Sequence, residues 1–585
     1  MASTATDSIY QIEQIARLPN HLKRHIVEQH YDRYTSVDHA VWRYIMRKAF
    51  DFHSRHAHRA YVDGLRRTGI GLDRIPLVEE MNTILGRIGW GAAPVDGFIP
   101  PVAFMEFQAH RVLVIAADIR QLEHIEYTPA PDIVHEAAGH APIIADPEYA
   151  EYLRRFGEVG AKAMSSQADF KLYEAIRHLS ILKEAPGTSA NEITATERDV
   201  AERQTALGEP SEMALLSRLH WWTVEYGMIG TLDDPKLYGA GLLSSLGEAA
   251  HCLTPAVKKL PYSLAAAGVA FDITTMQPQL FVTPSFAHLT EVLEQFAAAM
   301  AFRNGGLGGL RKALASANVA TLVYSSGLQV SGTITEVVAE GNTPVYVRTT
   351  GPTALAVDDR ELPGHGRGYH ADGFGAPVGR PRGAAQPLET CDDDGLARVG
   401  LRTGHDASLD FPGGVHVSGR LERITRADGK VALLAFSDCR VTRGDRLLFD
   451  PAWGAFDMAV GDRITSVFQG AADKDSYDQV SFVPHERTIK VAADEQALRL
   501  QTLYREVRAV RDGNAPVERL SKVLASLRAE HPGDWLLSLE ILEVLAKRGG
   551  DDALHEELRD SLEARAASAD PAAHLIRDGL RLLTS

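Results

Sequence analysis

The sequence predicts a multidomain chain: a mainly α domain first, then a β-rich unit present twice, then a helical C-terminal segment. Three observations predict this. The 585 residues exceed what one hydrophobic core usually organises, which points to two or three domains. Apolar residues recur at helical spacing as far as about residue 310 and then alternate as they do in strands. From about Asp494 the helical spacing returns.

The first domain is expected to span residues 1–312. Within it, Val41–Tyr61 and Pro210–Ile229 carry apolar residues at helical spacing, with Gly and Pro as punctuation between segments. A final helix is expected over Ala287–Phe302. The glycine cluster Asn304-Gly-Gly-Leu-Gly-Gly309 that follows reads as a linker.

A β-rich domain is expected over 316–490. Thr321–Tyr324 and Val330–Ile334 alternate as strands do, around a Ser326-Gly327 turn. Tyr324–Gly332 resembles Phe411–Gly419 at an offset of 87, and Ile334 and Val337 match Leu421 and Ile424 at the same offset. This is the pattern of an internal duplication. Asp428-Gly429 suits a two-residue hairpin turn. Between the copies, Gly364–Gly395 is rich in Gly, Pro and Asp and reads as a long loop. With His365 and His370 it is a candidate lid over an active site. The last domain, 491–585, is expected to be helical, with amphipathic stretches Leu498–Val510, Val517–Ala529 and Trp535–Lys547.

Composition narrows the function classes. A net charge of -16 argues against a nucleic-acid partner, because phosphate binding needs a basic face. The three cysteines, Cys252, Cys391 and Cys439, form no close pair, which argues against a disulfide framework or a cysteine zinc knuckle. The N-terminus lacks the apolar run of a signal peptide, and no uncharged stretch is long enough to span a bilayer. A cytoplasmic protein without a membrane partner is expected.

The chemistry concentrates in Pro131-Asp-Ile-Val-His135-Glu-Ala-Ala-Gly-His140-Ala-Pro142. Two histidines around a glutamate suggest a metal site. In the HExxH motif of zinc hydrolases they stand four apart, on one helix face. Here they stand five apart, about 140° around an ideal helix rather than about 40°. One ion reaches both only if the helix ends or distorts there, and Gly139 offers the freedom to do so. Glu225, in His220-Trp-Trp-Thr-Val-Glu225-Tyr-Gly227, is a carboxylate in an apolar stretch. Such a group is costly unless it is paired or bound to a cation. Two histidines and a carboxylate make the facial triad of non-haem iron(II) oxygenases. The alternative is two hydrogen-bonded core histidines and a Glu225 paired with an arginine.

The flanks of this motif carry a resemblance. Arg120, then Tyr127-Thr-Pro-Ala-Pro-Asp-Ile-Val-His-Glu136, resembles the core of the pterin-dependent aromatic amino acid hydroxylases. Trp221–Gly227, Tyr238–Glu248 and, more weakly, Gln277-Pro278 with Val282, Ser285 and Phe286 follow in the family's order across roughly residues 40 to 300. The resemblance implies the catalytic fold of that family and a monooxygenase using iron(II), a tetrahydropterin and O2. It implies that His135, His140 and Glu225 bind the iron and that Arg120 holds the substrate carboxylate. Thr128 and Ser244 would line the substrate end and hydrogen-bond around the first histidine. Trp221 would wall the substrate ring, and its spacing of four from Glu225 puts both on one α-helical face. Asp132 would orient a ligand histidine. Gly97, Phe98, Ile99, Phe104 and Glu136 would hold the pterin.

The chain departs from the family in two places. Gly97-Phe-Ile-Pro-Pro101 stands where relatives more often carry small hydroxyl residues. Residues 316–585 are unrelated sequence where animal members have a short tetramerisation helix, and a counterpart of their N-terminal regulatory domain is not expected. Phenylalanine is the expected substrate, favoured by Val282, with tryptophan or another aromatic amino acid as the alternative. A second alternative makes the C-terminal half a binding or scaffolding module that carries the hydroxylase core. Oligomer partners are not legible.

Overall fold

The computed structural model describes residues 11–96, 99–126, 131–184, 188–272, 275–478 and 494–584. The first half is mainly helical. Thr35 opens helix α1 (Ser36–His56) with a capping box, its hydroxyl taking the Asp38 N–H while the Asp38 carboxylate takes the Thr35 N–H. Helix α2 (Arg59–Thr68) follows after Ala57 and His58. Strands β1 (Gly91–Val95) and β2 (Val112–Ala116) pair in parallel around helix α3 (Pro101–Ala109). Both strands are buried throughout, as befits strands covered on two faces. A four-stranded sheet, in the order β4-β3-β6-β5, is built from Met228–Gly230 (β3), Pro235–Leu237 (β4), Lys258–Pro261 (β5) and Gln279–Thr283 (β6).

The predicted glycine linker is not a linker. Residues Gly306–Ser316 form helix α4, and Gly309 is where this helix meets the next domain. A Cβ there would lie 3.1 Å from Val467. The small residue allows a close approach of helix to strand, which composition alone cannot distinguish from a flexible joint.

The β region holds two sheets. One runs β10-β9-β8-β7-β17, with β11 also on β9; the other runs β12-β13-β14-β15, with β16 on β14. Their strands are Val319–Tyr324 (β7), Gln329–Glu340 (β8), Thr343–Val357 (β9), Arg360–Glu361 (β10), Gly375–Pro377 (β11), Asp406–Asp410 (β12), Val415–Ala427 (β13), Lys430–Arg443 (β14), Arg446–Phe449 (β15), Phe456–Ala459 (β16) and Ile464–Gln469 (β17). Both three-strand meanders share the same antiparallel pairings, and their irregularities coincide. Register shifts fall between Ser331 and Thr333 and between Ile334 and Glu336 in the first. In the second they fall between Ser418 and Arg420 and between Leu421 and Arg423, at the offset of 87. Gly332 and Gly419 occupy the first bulge of each, where a Cβ would meet Thr353 at 2.6 Å or Cys439 at 2.8 Å. The Asp428-Gly429 turn has φ of 48° and 76°, as a tight hairpin of this kind requires.

The loop around His365 and His370 does not cover the first half as a lid. It folds back on its own sheet, where the Leu355 N–H donates to the His365 carbonyl and the Thr353 N–H to that of His370.

Of the C-terminal helices α5 (Glu495–Arg511), α6 (Arg519–Glu530), α7 (Leu536–Arg548), α8 (Asp552–Ala566) and α9 (Ala573–Thr584), the first three overlap the three amphipathic stretches and the last two are not marked by the pattern. They do not form a core of their own. Their buried Tyr504, Val507, Trp535 and Ile541 belong to the same hydrophobic cluster as Trp42, Tyr44 and Ile45 of α1. Helix α1 is buried without interruption from His39 to Met46. A helix that is apolar on one stripe needs one neighbour; one buried all round needs cover on every side, and the last hundred residues supply it. The β region is also tied to the first half, by Lys474–Glu106 (2.6 Å) and by His21 between Asp475 and Glu106 (2.8 and 3.0 Å).

Candidate metal centre

The five-residue spacing of His135 and His140 is resolved by the backbone. Val134–His140 is a π-helix, and the Ala141 N–H returns to the Glu136 carbonyl, five residues back. Wider winding of this kind brings positions five apart onto one face, where an α-helix would separate them. Trp221–Glu225 is also π-helical, with the Tyr226 N–H on the Trp221 carbonyl at 2.8 Å. The Thr223 hydroxyl donates back to the Leu219 carbonyl (2.6 Å) and contacts the Tyr152 hydroxyl (2.8 Å), which anchors the distortion. Gly139 matters for a reason other than flexibility. A Cβ on it would stand 2.8 Å from the Ala240 carbonyl, so glycine lets the short helix Ala240–Ser244 pack against the π turn.

Three side chains converge as a result. His135 Nε2 and His140 Nε2 are 3.1 Å apart, and the two Glu225 oxygens lie 3.2 Å from His135 and 3.3 Å from His140. One ion at an ordinary metal–nitrogen distance of about 2.1 Å reaches all three. Burial alone would raise the Glu225 carboxyl, but His140 and His135 together hold it well below the usual carboxylate range. Burial likewise opposes the His135 cation, yet Glu225 raises that ring to about 9. The arrangement attracts positive charge between its members, and two imidazoles with a carboxylate suit a divalent transition metal.

Ser244 Oγ lies 2.9 Å from His135 Nδ1. With Nδ1–H donating to Ser244, the Nε2 lone pair is left facing the centre. Asp132 does not touch a histidine ring. It accepts the His135 backbone N–H (3.0 Å), as a helix cap does, and its two oxygens accept Arg120 Nε and Nη2 at 2.8 Å each. Arg120 is thus buried and aimed by a fork, with its own backbone N–H also on Asp132 (3.0 Å). Burial works against the Asp132 carboxylate, and Arg120 keeps it below its ordinary value.

Glu136 is buried beside the centre. One of its oxygens has no hydrogen-bond partner and stands 3.9 Å from His140 Nε2, and burial raises its carboxyl. Trp221 lies about one turn before Glu225 in this π-helical segment, and its ring stacks on Tyr226, five residues on (4.5 Å), and on Phe271 (4.4 Å). Phe104 is edge-on to His220 at 5.8 Å, and Ile99 is half-buried nearby in the chain. Thr128, Gly97 and Phe98 lie outside the described residues.

Sequence reasoning passed over His220 as a site residue. Its Nδ1 is 3.9 Å from Glu225, its ring packs on Phe104 and Phe156, and burial lowers it to about 4. The signal was the spacing: His220 precedes Glu225 by five, as His135 precedes His140.

Comparison with known proteins adds a family. Its sequence profile, described as biopterin-dependent aromatic amino acid hydroxylase, matches residues 7–174 and 202–304. The phenylalanine-4-hydroxylase of Chromobacterium violaceum is 28% identical over 264 residues, which is 45% of this chain and 74% of that one. That of Pseudomonas aeruginosa is 26% identical over 264 residues, 45% of this chain and 84% of that one. A crystal structure of the C. violaceum enzyme with iron(III) and oxidised 7,8-dihydrobiopterin is 24% identical. It covers 51% of this chain and 94% of that one, with a TM-score of 0.38.

Proposed function

The first half of this chain belongs to the biopterin-dependent aromatic amino acid hydroxylase family, and from that premise we infer a monooxygenase that converts free L-phenylalanine to L-tyrosine with O2. The observation that carries the reading is the triangle of His135, His140 and Glu225, with edges of 3.1–3.3 Å. In this reading these three residues hold iron(II), and Ser244 keeps the His135 tautomer that leaves Nε2 free. Bound iron and reduced pterin supply the O2 activation that inserts an oxygen atom into the ring.

The chain's own side chains position and exclude. Arg120, held rigid by Asp132, offers its remaining donors to the amino-acid carboxylate. Thr128 is assigned to the substrate end by its place in the family motif, and Trp221, stacked on Tyr226 and Phe271, to the wall of the ring pocket. Phe104 and the loop Gly97-Phe98-Ile99 take the pterin, with the unpartnered Glu136 oxygen as acceptor for its N–H groups. Buried apolar neighbours keep water from the reacting atoms.

The catalytic unit in this reading runs from residue 1 to about 312, and residues 316–490 are a duplicated β unit attached to it. What supports duplication is the recurrence of strands and bulges at a shift of 87. Residues 491–585 count as a separate segment of sequence that completes the catalytic unit's core. A cytoplasmic location remains a proposal; among the described residues no helix is long and apolar enough to cross a membrane.

The test is anaerobic iron loading followed by assay of phenylalanine, tryptophan and tyrosine with a tetrahydropterin. Tyrosine formation from phenylalanine that depends strictly on the pterin supports the reading. Faster turnover of tryptophan replaces the substrate, and no pterin-dependent turnover of any of the three removes the activity.

A further inference from the structure

We propose that the β region carries a second metal site, for a divalent transition ion of the zinc type, formed by His365, His370 and Asp457. Its ligands come from both sheets. The histidines lie in the loop between β10 and β11 of the first, and Asp457 lies on β16 of the second.

The geometry is that of a ligand set. His365 Nδ1 is 3.3 Å from His370 Nε2 and 3.8 Å from Asp457 Oδ2, and one ligand atom from each residue lies within 4.8 Å of the others. All three residues are at least nine-tenths buried, with exposures of 5%, 8% and 5%. Asp457 is the observation that asks for a ligand. Both of its oxygens are shielded from solvent, and the side-chain donor that faces it is the hydroxyl of the half-exposed Tyr369. A neutral hydroxyl leaves the charge of a buried carboxylate uncompensated, and a bound cation neutralises it.

The loop is built to hold the rings. Backbone hydrogen bonds pin His365 to Leu355 (2.9 Å) and His370 to Thr353 (3.0 Å). Gly373, at φ 125°, sits where a Cβ would lie 2.4 Å from the Thr349 carbonyl, so the loop can close only through glycine. The two rings lie 5.5 Å apart and nearly parallel, with Tyr369 edge-on to both at 5.4 and 4.7 Å. Burial lowers both imidazoles, His370 to about 4, so they are neutral and able to donate lone pairs at neutral pH.

Three protein ligands leave room for a fourth, on the side of Tyr369, which is 56% exposed. Nitrogen and carboxylate donors together select a borderline transition ion rather than Ca2+ or Mg2+. The competing occupant is a proton. Arg423 Nη2 stands 3.4 Å from His365 Nε2, and a relay from Arg423 through His365 to His370 would also satisfy the rings. That relay leaves the charge of Asp457 to the Tyr369 hydroxyl alone. Metal at Nδ1 places the ring proton on Nε2, so the exposed Arg423 must swing away on binding.

The test uses the full chain, stripped of metal and titrated with Zn2+ against a chromophoric chelator, in a His140→Ala background that silences the first centre. One equivalent is expected to bind at micromolar free Zn2+ and to disappear on adding His370→Ala or the isosteric Asp457→Asn. Arg423→Gln, which removes the competing donor and a positive charge, is expected to tighten binding. Zn2+ is also expected to raise the Tm of the His140→Ala protein and not that of the Asp457→Asn double variant, with far-UV circular dichroism confirming that each is folded. The proposal is overturned if the His140→Ala protein takes up no ion, or if its equivalent survives both added substitutions. Either result leaves the hydroxylase reading untouched, because that rests on iron and turnover in the unmodified chain.

Discussion

Arg43 and Glu540, separated by 497 residues, form a buried two-point ion pair in which Arg43 Nε donates to Glu540 Oε1 at 2.6 Å and Nη2 donates to Oε2. Arg511 adds a second cation at 3.1 Å, and Arg47 pairs with the neighbouring Glu543. The last helices are thereby locked onto α1, the helix at the centre of the first half.

Truncation after Lys312 therefore strips α1 of its cover, and an insoluble or molten fragment is expected. A chain lacking only the β region, with the C-terminal helices rejoined by a linker, is expected to stay soluble. Arg43→Ala should lower stability by roughly 2–3 kcal/mol, because Glu540 keeps Arg511 but loses its fork. Urea unfolding midpoints and light scattering check both; a monodisperse 1–312 fragment with a sharp unfolding transition would contradict them.

His140→Ala is expected to abolish iron and hydroxylation together, since the π turn leaves no other histidine in its place on that face. Metal analysis of the anaerobically loaded variant decides it. Stoichiometric iron in that protein would mean that the ligand set is wrong.

Ser244→Ala leaves the ligands in place but frees the His135 tautomer. Iron affinity is expected to fall about 10- to 100-fold, measured by chelator competition, with a smaller change in the KM for phenylalanine. A change confined to KM would move Ser244 from the metal to the substrate.

Arg120→Lys substitutes a point charge for a fork that Asp132 aims. The apparent KM for phenylalanine is expected to rise by about tenfold or more, with pterin affinity little changed. If pterin binding weakens and the amino-acid KM does not move, Arg120 serves the other ligand.

Glu248 is buried, and burial lifts its carboxyl to about 7 in the folded chain. Folding favours its protonated form, so this contribution to stability is full below the ordinary value of 4.5 and is lost as pH rises through about 7. Glu248→Gln is expected to flatten the fall of Tm between those limits and to be more stable than the parent at pH 8. A steeper profile in the variant would reverse the assignment.

Much of this was legible in residue order. The period change near residue 310 and the hairpin turn at Asp428-Gly429 are local properties, and the strands and turn angles follow them. The candidate ligands were legible by type, because a carboxylate and two histidines are conspicuous in apolar surroundings. Their convergence was not, since a spacing of five fits one face only on a π turn, and that winding is set by packing against Ala240 and Tyr152. Tertiary structure alone decided that a glycine cluster is a helix pressed on Val467, that the last five helices complete the core around α1, and that Asp457 meets two histidines from another sheet. Each depends on contacts between residues far apart in the chain, for which periodicity and composition carry no signal.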